Sequence, residues 1–420
     1  MYWNVNTKMK GAITYYKFEK AWNWILVYLM VYFSSSFSLS VYSGTTRILL
    51  YVLLLALVAL NIFLYKRNLR AKKSIVILLP LIAVFSYLLN GESIKQFEIL
   101  LLYYLVSFIF VLYLDFNKWC DAYLGVIQFI AILSIILYFL SIAFPSIIDA
   151  LPTTINSAGR TTHTVFFCLT PFEGRSIGIF WEPGAFQIYL MLAIIIEYFT
   201  YGLEKYPRLV VLLIANILTF STTAFIATGV LLIVILTNEI IEGRLRKGIG
   251  ISIVVSVLVI IIVSFFTQKA NIDIYTKVFG KIDLYRSNPT YNGSAAVRFN
   301  SAIKALEIFV QNPILGVGTT KLNEYFVSYY GHSMTTCTFI NWFAISGVFY
   351  GVLMSIGVYK FSSLFTKRRI VSFLLLLLIF VLISSEDMVI NPSFIILVLY
   401  GYLGYHSFKK EKEPERELAH

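Results

Sequence analysis

Apolar side chains dominate this chain in long blocks separated by short polar joints. The blocks fall at roughly 24–42, 47–65, 74–90, 97–114, 119–144, 178–201, 208–220, 223–240, 248–266, 337–359, 370–388 and 392–407. A helix needs about 20 mostly apolar residues to cross the hydrocarbon core of a bilayer. The pattern therefore predicts an all-α polytopic membrane protein with about 12 transmembrane helices. Residues 208–240 form one apolar stretch interrupted by Ser221, Thr222 and Thr223, and read either as one long helix or as a tight hairpin. The first block follows Lys8, Lys10, Lys17 and Lys20, is long, and lacks a small-residue cleavage site. It is expected to be a first spanning helix and not a removed signal peptide.

The cations decide between the two readings of 208–240. Lys66, Arg67, Arg70, Lys72 and Lys73 share one joint, Lys205 and Arg208 another, Arg244, Arg246 and Lys247 a third, and Lys367, Arg368 and Arg369 a fourth. Lys409 and Lys410 follow the last block. Short cytoplasmic joints carry the excess of Lys and Arg, and all of these reach one side only if 208–240 crosses twice. The expected arrangement is a hairpin at 208–240, both termini cytoplasmic, and two long extracytoplasmic loops at about 145–176 and 267–336. Loops of that length usually carry function or small structures of their own.

Composition agrees. The chain of 420 residues is 59% hydrophobic and 13% charged, with a mean hydropathy of +0.79, which excludes an ordinary soluble enzyme. A net charge of +12 would point to nucleic acid in a soluble chain. Here the cytoplasmic joints account for it, so the partners expected are membrane lipids and no nucleic acid. Cys120, Cys168 and Cys337 show no metal-like spacing. Cys168 and Cys337 fall near one face, but their spacing does not require a disulfide.

The second loop breaks the charge pattern. Lys269, Lys277, Lys281, Arg286, Arg298, Lys304 and Lys321 outnumber Asp273, Asp283, Glu307 and Glu324. An outer loop rich in cations suits an anionic ligand. Within it, Asn292-Gly293-Ser294 reads as a turn and residues 295–311 have helical periodicity, ended by Asn312-Pro313 and a flexible Gly316-Val317-Gly318. Phe299, Ile303, Leu306 and Val310 share one face, with Arg298 at its edge. This helix is expected to lie on the outer membrane surface, tucked over the bundle.

No phosphate-binding glycine loop and no D-x-D pair occurs, and the four histidines are scattered. Chemistry, if present, rests on arginines, one or two carboxylates and a histidine. Arg175 and Arg298 come from separate loops, and a guanidinium forks onto phosphate oxygens. The plainer alternative is that each reaches lipid head groups or pairs with Glu173 or Glu307. Glu182 precedes Pro183-Gly184 and reads either as a helix cap or as a site carboxylate. His332, in Tyr329-Tyr330-Gly331-His332-Ser333, suits a general base or a plain interfacial hydrogen-bonding role. Glu386 and Asp387 end the eleventh span; as neighbours they do not form an acid/base pair, but one of them is placed to meet a loop arginine. Glu197, deep in the sixth span, needs a partner or an exit to the cytoplasm.

The layout and three motifs carry a resemblance. Arg175-Ser-Ile-Gly-Ile-Phe-Trp-Glu-Pro-Gly184, the helix of Arg298 followed by Asn312-Pro-Ile-Leu-Gly-Val-Gly318, and Gly331-His332 before a span look like Wzy-type O-antigen or capsular polysaccharide repeat-unit polymerases and the related O-antigen ligases. The resemblance implies a GT-C-like, membrane-embedded glycosyltransferase of the bacterial inner membrane that works without metal or cofactor. It would polymerise lipid-linked oligosaccharide repeat units, with an undecaprenyl-pyrophosphate-linked glycan as donor and another repeat unit as acceptor. A flippase and a chain-length regulator would be partners. Arg175 and Arg298 would bind the pyrophosphate and His332 or Glu182 would serve as catalytic base. Arg160, Lys281, Arg286 and Glu386 are further candidates for that site. The competing functions are an O-antigen ligase, which transfers polymer to lipid A–core, and a flippase or transporter. A transporter should bury ionisable residues in mid-bundle, whereas these spans are nearly free of charge.

Overall fold

A computed structural model of the protein describes residues 2–37, 44–65, 75–155, 161–165, 167–202, 206–244, 294–330 and 336–404, with isolated positions between 246 and 256. The described chain is a bundle of helices: α1 (Tyr2–Ser35), α2 (Gly44–Tyr65), α3 (Ile75–Leu89), α4 (Ile94–Tyr113), α5 (Phe116–Ala143), a short α6 (Pro145–Asp149), α7 (Pro183–Tyr201), α8 (Tyr206–Leu218), α9 (Thr222–Ile241), α10 (Ser294–Gln311), α11 (Gly318–Tyr330), α12 (Thr338–Phe365), α13 (Arg369–Ile383) and α14 (Pro392–Leu403). Five of these, α4, α5, α7, α9 and α12, are long and apolar enough to cross a membrane by length and composition alone. Shorter apolar helices lie within α2, α3, α8, α13 and α14. The predicted span at 248–266 falls almost wholly outside the described residues.

Residues 208–240 form a hairpin. α8 and α9 are joined by the turn Thr219-Phe220-Ser221, and Phe220 takes a left-handed conformation there. The two ends of the bundle are chemically distinct. At one end, joints are tied by ion pairs: Lys118 with Glu19, Arg244 with Glu239 and Glu242, and Arg368 with Glu242. Glu197, fully buried in α7, finds its partner there in Arg208 of α8, with Nη1 3.1 Å from Oε2. At the opposite end lie the segment from 144 to 182, the α8–α9 turn and the α13–α14 joint.

The segment 144–182 holds structure that the hydrophobic pattern did not announce. A three-stranded antiparallel sheet, β1 (Thr153–Ile155), β2 (Thr161–Val165) and β3 (Cys168–Leu169), pairs Thr154 with Thr162 and Thr164 with Leu169. Strands of two to five residues are too short to imprint a period-two pattern. Cys120, Cys168 and Cys337 are buried and free, so Cys168 and Cys337 do not pair.

The Pro313–Gly318 loop docks into a break in α12. Gly347 leaves the helical conformation at φ 78°. An intact helix would bond Val348 N–H to the Ala344 carbonyl. Here Val348 N–H donates to the Pro313 carbonyl (2.8 Å), and the Ala344 carbonyl accepts from Val317 N–H (2.9 Å). The loop thus takes over both halves of the missing bond, as backbone away from water requires. Ser86 Oγ of α3 adds a hydrogen bond to the Leu315 carbonyl at 2.8 Å. Gly316 and Gly347 sit backbone against backbone, and a side chain on either would strike the other segment's carbonyl.

α10 turns the apolar face of Phe299, Ile303, Leu306 and Val310 away from the bundle; all four are exposed, Val310 by 67%. The face packed inward carries Ser301, Ala305 and Ile308. Small residues let α10 approach α12 closely, and large apolar ones face outward because the surroundings expected for this bundle are lipid and not water. Arg298, at the edge of the outward apolar face, reaches the bundle side.

Candidate functional site

Arg175 is placed by a two-residue turn. Phe172 and Arg175 exchange backbone hydrogen bonds of 2.9 and 3.0 Å across Glu173 and Gly174, whose φ values are 50° and 69°. Positive φ at both central positions is the geometry that matches the twist of a hairpin, and Gly174 supplies the easier half of it. Ser176 N–H then donates to the Leu218 carbonyl, and Arg175 Nε to the Thr219 carbonyl at 3.1 Å. The arginine of the first long loop is thereby held against the α8–α9 turn.

Arg298, from α10, is held in the same manner. Its Nε donates to the Ser385 carbonyl of the α13–α14 joint at 3.1 Å, and Nη2 lies 3.7 Å from Glu386 Oε1. Both guanidinium groups are pinned by Nε to a backbone carbonyl, which leaves their forked ends to face other groups. Arg175 also feels the charge of Arg298. Burial is the main cause that lowers the proton affinity of Arg175, followed by the charge of Arg298, against the opposing pull of Glu182, Glu173 and Glu386. Glu307 is tied to Lys304 at 3.1 Å and leaves Arg298 to Glu386.

Glu386 joins the elements of the site. It is 6% exposed, and Oε2 accepts a hydrogen bond from Trp181 Nε1 at 3.3 Å. Oε1 faces Arg298 without a hydrogen-bond partner among the described residues. Burial pushes its carboxyl up to about 8, helped by the charge of Glu182 and opposed by Arg298, the Trp181 hydrogen bond and Arg175. Burial thus favours the neutral carboxyl, which offsets the arginines less than an exposed carboxylate would. Thr338, the first residue of α12, fixes the joint from below: its hydroxyl donates to the Glu386 carbonyl (2.7 Å) and accepts from Met388 N–H (2.6 Å).

The stretch Trp181-Glu182-Pro183-Gly184 now has a residue-by-residue account. Trp181 holds the Glu386 carboxyl. Glu182 occupies the N-cap position of α7 with extended backbone, but its side chain makes no capping hydrogen bond. Its charge acts instead on Arg175 and Glu386. Pro183 begins the helix, where its missing N–H costs nothing. Gly184 makes room: a Cβ there would lie 2.0 Å from Glu386 Oε1 and 3.5 Å from Arg298 Nη2.

The structure brings together Arg175, Glu182, Arg298 and Glu386. His332, Arg160, Lys281 and Arg286 lie outside the described residues. Sequence reasoning missed Trp181 and Gly184 as site residues, although they flank Glu182 in the most conspicuous motif. It also missed Thr219 and Ser385, whose contributions are backbone carbonyls and carry no residue-type signal.

Residues 208–341 carry an O-antigen ligase family domain. The domain spans the α8–α9 hairpin, Arg298, the Pro313–Gly318 loop and His332, while Arg175, Glu182 and Glu386 lie outside it. Comparisons with curated proteins and with solved structures return no match. Over that stretch the chain is similar to the O-antigen ligase family, and its apolar helices are those of a multi-pass membrane protein.

Proposed function

We propose that the protein polymerises lipid-linked oligosaccharide repeat units into a surface polysaccharide. The observation that carries this reading is the pair of arginines, Arg175 and Arg298, brought from two separate loops to one end of an apolar bundle and each fixed through Nε to a backbone carbonyl. A pyrophosphate whose lipid chain stays in the bilayer needs cations at that depth. Guanidinium groups meet it with two parallel hydrogen bonds each.

In this reading the acceptor hydroxyl oxygen attacks the anomeric carbon of the donor glycan. The bond from that carbon to the phosphate oxygen breaks, and the electron pair leaves with the undecaprenyl pyrophosphate. Arg175 and Arg298 stabilise the charge that develops there. The acceptor's proton passes to His332 or to Glu182, and the anomeric centre inverts. The site end of the bundle faces outward, and both termini face the cytoplasm with the Arg244 and Arg368 joints.

The description of the family domain supports a second reading, an O-antigen ligase, with the same bond made to lipid A–core. Deleting the gene separates the two. Loss of a polymerase leaves single repeat units on the final carrier; loss of a ligase leaves long polymer on the lipid carrier; loss of a flippase leaves repeat units inside. Complementation with Arg298→Ala at normal protein level should restore none of the polymer, and restoration to wild-type length and amount overturns the arginine assignment.

A further inference from the structure

The same end of the bundle holds a cavity with Trp181 in its wall and, among the described residues, no arginine. It has a volume of about 380 Å³ and lies between the end of α1, the first turns of α2 and α4, and the joint before α14. That volume suits a small polar molecule. Its wall includes Ser34, Tyr51, Tyr103, Trp181, Asp387 and Asn391.

The chemistry of this wall differs from that of the arginine pair. No lysine or arginine lines it among the described residues, and Asp387, exposed, would repel an anion. A lipid chain would offer no hydrogen bond to the hydroxyl and carboxylate of this wall. A pyranose fits both halves: its C–H face is apolar and stacks on aromatic rings, while its hydroxyl rim both donates and accepts. Asn391 frames the wall: its amide donates to the Ser34 carbonyl at 3.1 Å and to Ser35 Oγ at 3.0 Å, and its oxygen accepts from Ser393 N–H at 3.0 Å. Ser34 Oγ itself meets only the weakly accepting Met30 Sδ at 3.9 Å.

Trp181 joins the two compartments. Its indole N–H holds Glu386, which faces Arg298, and the residue is at the same time part of the cavity wall. Glu386 and Asp387 are adjacent in sequence; the first faces Arg298 and the second lines the cavity.

We propose that this cavity is a saccharide-binding subsite that holds a sugar of the acceptor glycan beside the pyrophosphate site. The proposal rests on the glycosyl-transfer reading above. The test uses the full-length protein in lipid nanodiscs and two probes. One is the free oligosaccharide repeat unit cut from the producing cell's own surface polysaccharide; the other is a soluble pyrophosphate diester. Binding is followed by saturation-transfer NMR and titration.

The free oligosaccharide should bind the unaltered protein. Ser34→Trp, which fills the cavity, should weaken it by about tenfold or more, and Asp387→Asn should weaken it severalfold. Arg298→Ala should leave oligosaccharide binding as it was and abolish binding of the diester. If Ser34→Trp does not fold, Asp387→Asn decides. The cavity proposal is overturned if the oligosaccharide fails to bind while the diester binds, or if folded variants bind it like the unaltered protein. If the oligosaccharide binds as expected and the diester does not, the arginine reading falls and the saccharide subsite stands.

Discussion

Gly184→Ala sets two physical effects against each other. Gly184 lies in the first turn of α7, and within a helix alanine is favoured over glycine by up to about 1 kcal/mol. On propensity alone the variant gains stability. The structure predicts otherwise for function. The new Cβ would stand 2.0 Å from Glu386 Oε1, where ordinary contact begins at 3.4 Å. The obstacle is the far end of a side chain and not backbone, so the carboxyl must retreat by roughly 1.4 Å while the helices stay in place. That retreat breaks the 3.3 Å hydrogen bond from Trp181 and takes away the group that faces Arg298. The lost hydrogen bond costs about 1 kcal/mol, near the propensity gain, so thermal stability in detergent should change little. A misplacement of about 1 Å in a reacting constellation costs on the order of 10²-fold in rate. Polymer formation by membranes carrying Gly184→Ala should therefore fall by about that factor. Gly229→Ala in α9, where a Cβ meets nothing within 4 Å, is the matched control and should keep full activity. A Gly184→Ala protein that polymerises like the unaltered one would refute the placement of Glu386 in the site.

Three more perturbations follow from the geometry. Binding of a pyrophosphate diester, whose own charge is constant, should weaken by about tenfold as pH rises from 7 to 9, because Glu386 ionises near 8 and offsets one arginine. Because that carboxyl is raised in the fold, stability should also decline as pH climbs toward 8; Glu386→Gln should flatten both profiles, and a slope unchanged in that variant assigns the effect elsewhere. Gly347→Ala forces a side chain into the Ile314 carbonyl at φ 78°, and should cost roughly 3 kcal/mol or more, read as a lowered melting temperature in detergent. Arg208→Ala removes the ion-pair partner of the buried Glu197 carboxylate and should cost about 3–5 kcal/mol, most of it recovered by adding Glu197→Gln; a double variant as unstable as the single one would show that the charge is not the cause.

What was legible in the sequence followed from the solvent. A chain that must bury its backbone polar groups in lipid writes its helices as long apolar blocks. Cationic joints then told a hairpin from a single helix at 208–240, and the turn at Thr219 agrees. The same solvent hid the orientation of α10. In water, Phe299, Ile303, Leu306 and Val310 would mark the buried face. Against lipid they mark the outer one, and the buried face is written in Ser301 and Ala305, which periodicity does not weight. The small sheet of residues 153–169 was illegible because its strands are shorter than the pattern that would reveal them.

The site was legible in its charges and not in its supports. Arg175, Arg298, Glu182 and Glu386 stand out because a cation or a carboxylate among apolar residues needs a reason. What brings them together is carried by groups without a signature: the Thr219 and Ser385 carbonyls, the missing side chain at Gly184, the hydroxyl of Thr338. The motif Trp181-Glu182-Pro183-Gly184 reads differently once these are seen. Its one charged residue is the member whose side chain makes no capping bond, while the tryptophan and the glycine on either side set the position of a carboxyl about 200 residues away in the chain. A short motif in a membrane bundle can thus mark the place where distant segments meet. The residue in it that most resembles chemistry need not be the one whose loss costs most, and comparing Gly184→Ala with Glu182→Gln in the same membranes decides that point directly.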